Sequence, residues 1–214
     1  MTELTFIRHG ETDWNRQQRF QGQIDVPLNA AGHVQAARLA ARLADSPADV
    51  LLSSDLARAR ETAAPLERAW GCTAGTVPGL REQSFGIWEG LDVPTIKTRH
   101  ADLWQAWLEH QADFALPQGE SLMQFHTRVM QAVREIAGSH AGRRITVVTH
   151  GGVLDMLWRS AKGLPVAGLR ECAIPNTGLN RLRWAGGSLH IDQWADAEHL
   201  LGLPEQASTA SANR

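Results

Sequence analysis

Two histidines, each placed between an apolar run and a glycine, are the residues of this chain best suited to chemistry. His9 follows the run at residues 3–8, and His150 follows the run at residues 144–149. Short apolar runs that end at glycine are typical of buried strands. If the two strands are parallel neighbours, both of them end at one edge of the sheet. The two imidazoles would then lie side by side.

Two arginines are predicted to lie at the same edge. Arg8 precedes His9 directly, and Arg58 falls in the first turn of a helix that follows a third apolar run, at residues 49–53. Two guanidiniums and two imidazoles in one cleft repel each other unless an anion lies between them. Phosphate suits such a cluster because guanidinium groups bind its oxygens in bidentate fashion. Helix N-termini predicted near Ser54 and Gly151 would add backbone N–H donors.

Phosphoryl transfer at such a cluster needs a nucleophile and an acid. A neutral imidazole can attack phosphorus and give a phosphohistidine intermediate, and His9 is the candidate, kept neutral by its cationic neighbours. A carboxyl group must protonate the leaving oxygen and later deprotonate water. The polar loop at residues 80–90 offers Glu82 and Glu89, of which Glu89 has a structural alternative as an acceptor for loop N–H groups. No metal is required, because the cations supply the charge.

The order of predicted elements is typical of an α/β protein with right-handed crossovers. Residues 1–203 are predicted to form one domain, with residues 90–140 as a helical lid or insert. Residues 204–214 lack core formers and are expected to be disordered. Asp25 is expected to cap a turn rather than to position the loop of Gln21, and Ser54 and Asp55 are candidate N-caps of the second helix. The predicted strands are 3–8, 49–53, 73–77, 144–149 and the hairpin 178–194, and the predicted helices are 31–44, 56–70, 95–110, 122–137 and 153–161.

Composition limits the classes of function. The chain has 214 residues, 43% hydrophobic and 21% charged, with a formal net charge of -2. It therefore has no global positive field for nucleic acid or anionic membrane, and its partner is expected to be a small molecule. No leader-like or membrane-spanning segment is found, so a cytoplasmic location is expected. The two widely separated cysteines are expected to be reduced thiols. The sequence leaves open whether the chain forms a homodimer.

Several blocks of the sequence resemble the histidine phosphatase superfamily, in its phosphoglycerate-mutase-like branch, over residues 3 to 195. The first block has the sequence Arg-His-Gly-Glu-Thr, followed by Trp14 and Asn15. Several such blocks in the family's order are far more specific than Arg-His-Gly alone. The later blocks are residues 21–32, 53–62, 80–90, 119–121 and 148–152.

This resemblance implies a fold and a set of roles. The fold is a three-layer αβα sandwich around a mostly parallel mixed sheet. His9 matches the phosphorylated nucleophile and Glu82 the acid/base carboxylate. The remaining matched positions are phosphate-pocket residues Arg8, Arg58 and His150, and phosphate- or substrate-binding residues Asn15, Gln21, Gly22 and Gly151. No cofactor or metal is implied.

Two departures separate this chain from the mutases of the family and favour a phosphatase. Residues 91–116 carry Lys97 and Arg99 but no Arg-Arg pair, and Gly119 stands where the mutases have threonine. The chain is more similar to the broad-specificity and α-ribazole phosphatases. A phosphomonoesterase is therefore the leading hypothesis. A phosphoglycerate mutase and a non-catalytic phosphate-binding protein are the alternatives. The aromatic residues Trp14, Phe85 and Trp88 suggest a partly apolar pocket.

Overall fold

The computed structural model describes residues 1–204, so residues 205–214 of the predicted disordered tail lie outside the described residues. None of the helices within residues 1–204 is long and apolar enough to cross a membrane. The strands are β1 (Thr2–Arg8), β2 (Val50–Ser53), β3 (Gly75–Thr76), β4 (Arg144–Thr149), β5 (Leu179–Ala185) and β6 (Ser188–Asp196). The helices are α1 (Asp13–Arg16), α2 (Ala30–Leu43), α3 (Ala57–Trp70), α4 (Val93–Arg99), α5 (Ala101–Leu108), α6 (Leu122–Ser139) and α7 (Gly151–Lys162).

A six-stranded sheet with the order β3-β2-β4-β1-β5-β6 forms the centre of the fold. The strands β3, β2, β4 and β1 are parallel, and β5 and β6 close the sheet as an antiparallel hairpin. In β1, Leu4, Phe6 and Ile7 are all buried, because helices cover both faces of this strand. The carboxyl ends of β1, β2 and β4 therefore meet at one edge, as the positions of the two histidines predicted.

Helices on both faces of the sheet make three layers. On one face, α6 and α7 pack their apolar residues, among them Phe125 and Leu154, against Phe6 and Val147 of the sheet. On the other face, α2 and α3 pack against Ile7 and its neighbours. A third apolar cluster lies apart from the sheet and joins α4 and α5 to the loops at residues 20 and 85–93. The predicted three-layer α/β fold is confirmed.

Three local predictions are wrong. The single helix predicted at residues 95–110 is two helices, α4 and α5, because the backbone leaves the helical region at His100. Neither Ser54 nor Asp55 caps α3, whose N-cap is Leu56. The acceptor comes from a distant loop instead, since the Ala57 N–H donates to Asp25 Oδ1 at 2.5 Å. Asp25 therefore ties residues 13–28 to α3 rather than only capping a turn.

Candidate active site

The two predicted histidines lie beside each other at the ends of β1 and β4. The strands pair in parallel with Arg8 opposite Thr149, so His9 and His150 occupy equivalent places one residue further on. The His9 N–H donates to Thr149 O at 2.8 Å, and the two ring centroids are 5.3 Å apart. Both side chains are buried.

The hydrogen bonding of His9 fixes which ring nitrogen can react. Its Nδ1 lies 2.7 Å from Gly10 O. A carbonyl oxygen can only accept, so Nδ1 carries the proton and Nε2 carries the lone pair. Burial, and then the charges of Arg58 and Arg8, hold the pKa of His9 well below its usual value. The imidazole is therefore neutral, with burial a larger cause than the cations.

Two residues of the segment before β5 support the backbone of the nucleophile. The Asn176 Nδ2 group donates to His9 O at 2.8 Å, and the Thr177 N–H donates to Arg8 O at 2.9 Å. Sequence reasoning missed both residues. The run of Pro175 to Gly178 is a recognisable turn composition, but nothing in it indicates which distant strand it meets.

The two predicted arginines have part of their guanidinium groups tied to backbone carbonyls. Arg8 Nη1 donates to Ile174 O at 2.8 Å. Arg58, fully buried, donates to Ile24 O at 2.9 Å and to Gly22 O at 2.7 Å. Burial lowers the pKa of each arginine to about 10, which leaves both cationic at neutral pH. These bonds fix where each charge lies.

Glu82 lies at the N-terminus of α7, across the sheet edge from the histidines. Its Oε2 accepts from the Gly152 N–H at 3.0 Å and its Oε1 accepts from the Gln83 N–H at 2.9 Å. A Cβ atom at residue 152 would lie 2.2 Å from Glu82 Oε1, so only glycine permits this approach. Glu89, by contrast, accepts from the Gln23 and Phe85 N–H groups, which is the structural alternative foreseen for it.

A cavity of about 120 Å³ brings together most of the predicted residues. His150 is the exception among them, because it lies behind the wall, where its Nε2 and Ser54 Oγ are 2.8 Å apart. Burial and the charge of Arg58 lower the pKa of His150, so its imidazole is neutral too. The predicted wall residues are Arg8, His9, Asn15, Gln21, Gly22, Arg58, Glu82 and Gly151.

The rest of the wall includes residues outside the predicted set. Trp14 and Phe85 face the cavity as expected, but Trp88 does not, because it is fully buried in the third apolar cluster. The most informative addition is Arg170, an arginine on the wall close to Arg8. It lies in an irregular segment with no motif, which is why the sequence did not reveal it. Gln18, Arg19, Phe20 and Gly152 complete the lining.

Comparison with known proteins identifies the family. The sequence profile of the histidine phosphatase superfamily (branch 1) matches residues 4–197. The chain belongs to this superfamily. A metal-independent phosphoserine phosphatase of Arabidopsis thaliana is 36% identical over 94% of this chain and 84% of its own length. A probable phosphoglycerate mutase of Escherichia fergusonii, GpmB, is 32% identical over 94% of this chain and 95% of its own.

Solved structures of other histidine phosphatases and their relatives have the same fold. Bacillus stearothermophilus YhfR superposes with a TM-score of 0.87 at 30% identity and covers 94% of this chain and 100% of its own. A mycobacterial glucosyl-3-phosphoglycerate phosphatase superposes with a TM-score of 0.79 at 31% identity, covering 91% and 99%. The predicted family, fold class and enzyme class are confirmed.

Within residues 1–204, no three His, Cys, Asp or Glu side chains cluster as metal ligands would.

Proposed function

We propose that this histidine phosphatase hydrolyses small organic phosphomonoesters, without a metal ion, through a phosphohistidine formed on His9. Glu82 is the general acid and base, and Arg8 and Arg58 bind the phosphoryl oxygens. One observation carries the proposal. The hydrogen bond from His9 Nδ1 to Gly10 O leaves the Nε2 lone pair available beside a cavity whose wall includes Arg8, Arg58 and the carboxyl group of Glu82.

In the first step, His9 Nε2 attacks phosphorus and the bond from phosphorus to the ester oxygen breaks. The Glu82 carboxyl group gives its proton to that oxygen, so the alcohol leaves neutral. In the second step, water attacks the phosphohistidine and gives its proton to the Glu82 carboxylate. The bond from Nε2 to phosphorus breaks, inorganic phosphate leaves, and both residues return to their starting states.

The fixed positions of the cations lower the barrier to both steps. The Arg8 and Arg58 guanidiniums are held by backbone carbonyls before substrate arrives, so little reorganisation is needed as charge moves onto the phosphoryl oxygens. The first turn of α7, which begins at Gly151, adds a positive dipole end on the same side. Asn15, Gln21 and Gly22 line the cavity and are proposed to contact the substrate.

The test is removal of the nucleophile. We expect His9→Ala to lower kcat for an aryl phosphate by at least about 10³-fold, because no other group can form the covalent intermediate. His190→Ala, an exposed histidine on β6, is the matched control and should keep full activity. Mass spectrometry of the wild type, quenched during turnover in alkaline denaturant, should find a phosphate on His9 that acid treatment removes. Full activity in His9→Ala would disprove the mechanism.

A mutase is the second candidate, because one of the similar proteins is named a probable phosphoglycerate mutase. Such an enzyme would form the same phosphohistidine but return the phosphoryl group to a hydroxyl of phosphoglycerate rather than to water. A coupled assay that compares isomerisation of 3-phosphoglycerate with phosphate release separates the two. Isomerisation faster than phosphate release would select the mutase.

A further inference from the structure

Arg170 is one of four arginines on the cavity wall, and the reaction above does not use it. We propose that Arg170 binds a second anionic group of the substrate, a carboxylate on the leaving-group side of the phosphoryl group. The enzyme would then prefer phosphomonoesters whose alcohol carries a carboxylate. This inference rests on the proposed function of the same cavity.

The position of Arg170 places it beside the phosphate site. A Cβ atom built on Gly151 would lie 3.5 Å from Arg8 Nε and 3.9 Å from Arg170 Nη1, so the two guanidiniums flank the start of α7 together. After burial, the charge of Arg170 is the largest cause that lowers the pKa of Arg8. Two like charges held this close are costly unless an anion binds between or beside them.

A dedicated set of contacts holds Arg170 in place. Arg159, buried in α7, donates to four carbonyls of the segment that leads to Arg170, those of Pro165, Ala167, Gly168 and Leu169. Asp155 joins the two arginines, because its Oδ2 accepts from Arg159 Nε at 3.2 Å and its Oδ1 lies 3.9 Å from Arg170 Nε. The Arg170 side chain is only 19% exposed as a result. These contacts restrict where the Arg170 guanidinium can lie, beside Arg8 and the start of α7.

The positive charge on the cavity wall exceeds the negative charge that one phosphate group supplies. The wall carries Arg8, Arg19, Arg58 and Arg170 against the single carboxyl group of Glu82. A phosphomonoester dianion balances at most two of these four positive charges. Arg58 is committed to two loop carbonyls, and Arg19 Nη1 to Gly90 O and Arg19 Nε to Gln17. Among residues 1–204, Arg170 has one ion-pair partner, Asp155, whose Oδ1 lies 3.9 Å from Arg170 Nε and whose Oδ2 accepts from Arg159.

A matched pair of substrates tests this role. 3-Phosphoglycerate and glycerol 3-phosphate differ only in a carboxylate that is replaced by a hydroxymethyl group. We expect Arg170→Gln to raise KM for 3-phosphoglycerate by about 10- to 100-fold, the value of a hydrogen bond between charged groups. KM for glycerol 3-phosphate should change less than about twofold, because this compound has no carboxylate. The value of kcat should stay unchanged for both substrates. Arg170→Lys keeps the positive charge, so it should raise KM for 3-phosphoglycerate less than Arg170→Gln does. The control is Arg183→Gln, which replaces an ion-paired arginine on β5 outside the cavity and should leave both KM values unchanged.

The support of Arg170 is tested separately. Arg159→Lys removes most of the four carbonyl bonds but keeps the charge, so the same selective rise in KM is expected in weaker form. Circular dichroism and the melting temperature show whether that variant is folded. Arg170→Gln leaves the four bonds from Arg159 to the backbone carbonyls in place. It therefore remains a valid test if Arg159→Lys does not fold.

The outcomes distinguish this inference from the proposed function. Equal KM increases for both substrates would make Arg170 a phosphate ligand, and no change for either would remove it from the site. Both results overturn the inference. If the wild type releases no phosphate from any substrate, the proposed function fails by itself. Calorimetric binding of the same two compounds to His9→Ala and to His9→Ala with Arg170→Gln then still measures carboxylate recognition without catalysis.

Discussion

The two sides of the cavity are built in different ways. On the nucleophile side, strand pairing and backbone bonds place the reacting groups, as in the bond from the His9 N–H to Thr149 O. On the leaving-group side, loops form the wall, and side chains that bond to backbone groups hold them. Arg19 bonds to Gly90 O, and Arg159 holds the segment before Arg170. The chemistry therefore depends on sheet register, whereas specificity depends on contacts that one substitution can remove.

The largest effect is expected from loss of Glu82, because it is a reacting group rather than a contact that sets specificity. We expect Glu82→Gln to lower kcat for an alkyl phosphate by about 10²- to 10⁴-fold, because no proton reaches the leaving oxygen. The loss should be smaller for 4-nitrophenyl phosphate, whose leaving group needs less protonation. Steady-state kinetics on both substrates measures this, with exposed Glu135→Gln as the control. Equal losses on the two substrates would assign Glu82 a role other than proton donor.

A smaller loss is expected when the acid is only displaced. Gly152→Ala places a methyl group against Glu82 Oε1, so the carboxyl group must shift. A misplacement of about 1 Å costs on the order of 10²-fold in kcat. Gly138→Ala, in α6 with open space around its Cβ position, is the control and should stabilise the fold by about 0.5–1 kcal/mol. Unchanged kcat in Gly152→Ala would show that the position of Glu82 does not limit the rate.

Substitution on the leaving-group side should change selectivity rather than rate. Trp107 packs edge-on against Phe20 and Phe85, which line the cavity. We expect Trp107→Leu to leave kcat for a small aryl phosphate within about threefold, since the groups that perform the chemistry do not move. The ratio of kcat/KM between bulky and small phosphomonoesters should shift. A large fall in kcat for every substrate would contradict the division between the two sides.

The smallest effect concerns stability against pH. The folded state holds the pKa of His9 and of His150 well below that of an unfolded histidine, near 6.5. Below pH 6.5 the unfolded chain therefore binds more protons, and the free energy of unfolding falls by about 1.4 kcal/mol per pH unit for each histidine. Urea unfolding at pH 7.5, 6.0 and 5.0, without phosphate, should show this decline. His9→Asn should make it shallower, and an unchanged slope would show that His9 is not a buried neutral group.

The sequence predicted the nucleophile side better than the other side. The pattern of an apolar run, a histidine and a glycine is local, so it located both strand ends and the helix that carries Arg58. The roles of Asn176 and Arg170 were not predicted, because they depend on contacts with residues more than 150 positions away in the sequence. The contact of Asn176 with His9 is an example. The N-cap prediction for α3 failed for the same reason, since Asp25 supplies the acceptor from another part of the chain. Glu82 was located through the family resemblance rather than by periodicity.

The pairing of β1 has a consequence for how the protein is made. This strand is synthesised well before its neighbours β4 and β5, which begin at residues 144 and 179. The nascent chain must keep an apolar segment with Phe6 and Ile7 unpaired through most of its synthesis. Contacts this distant in sequence form slowly and leave strand edges open to aggregation meanwhile. His9 is thus among the last residues to reach its final surroundings.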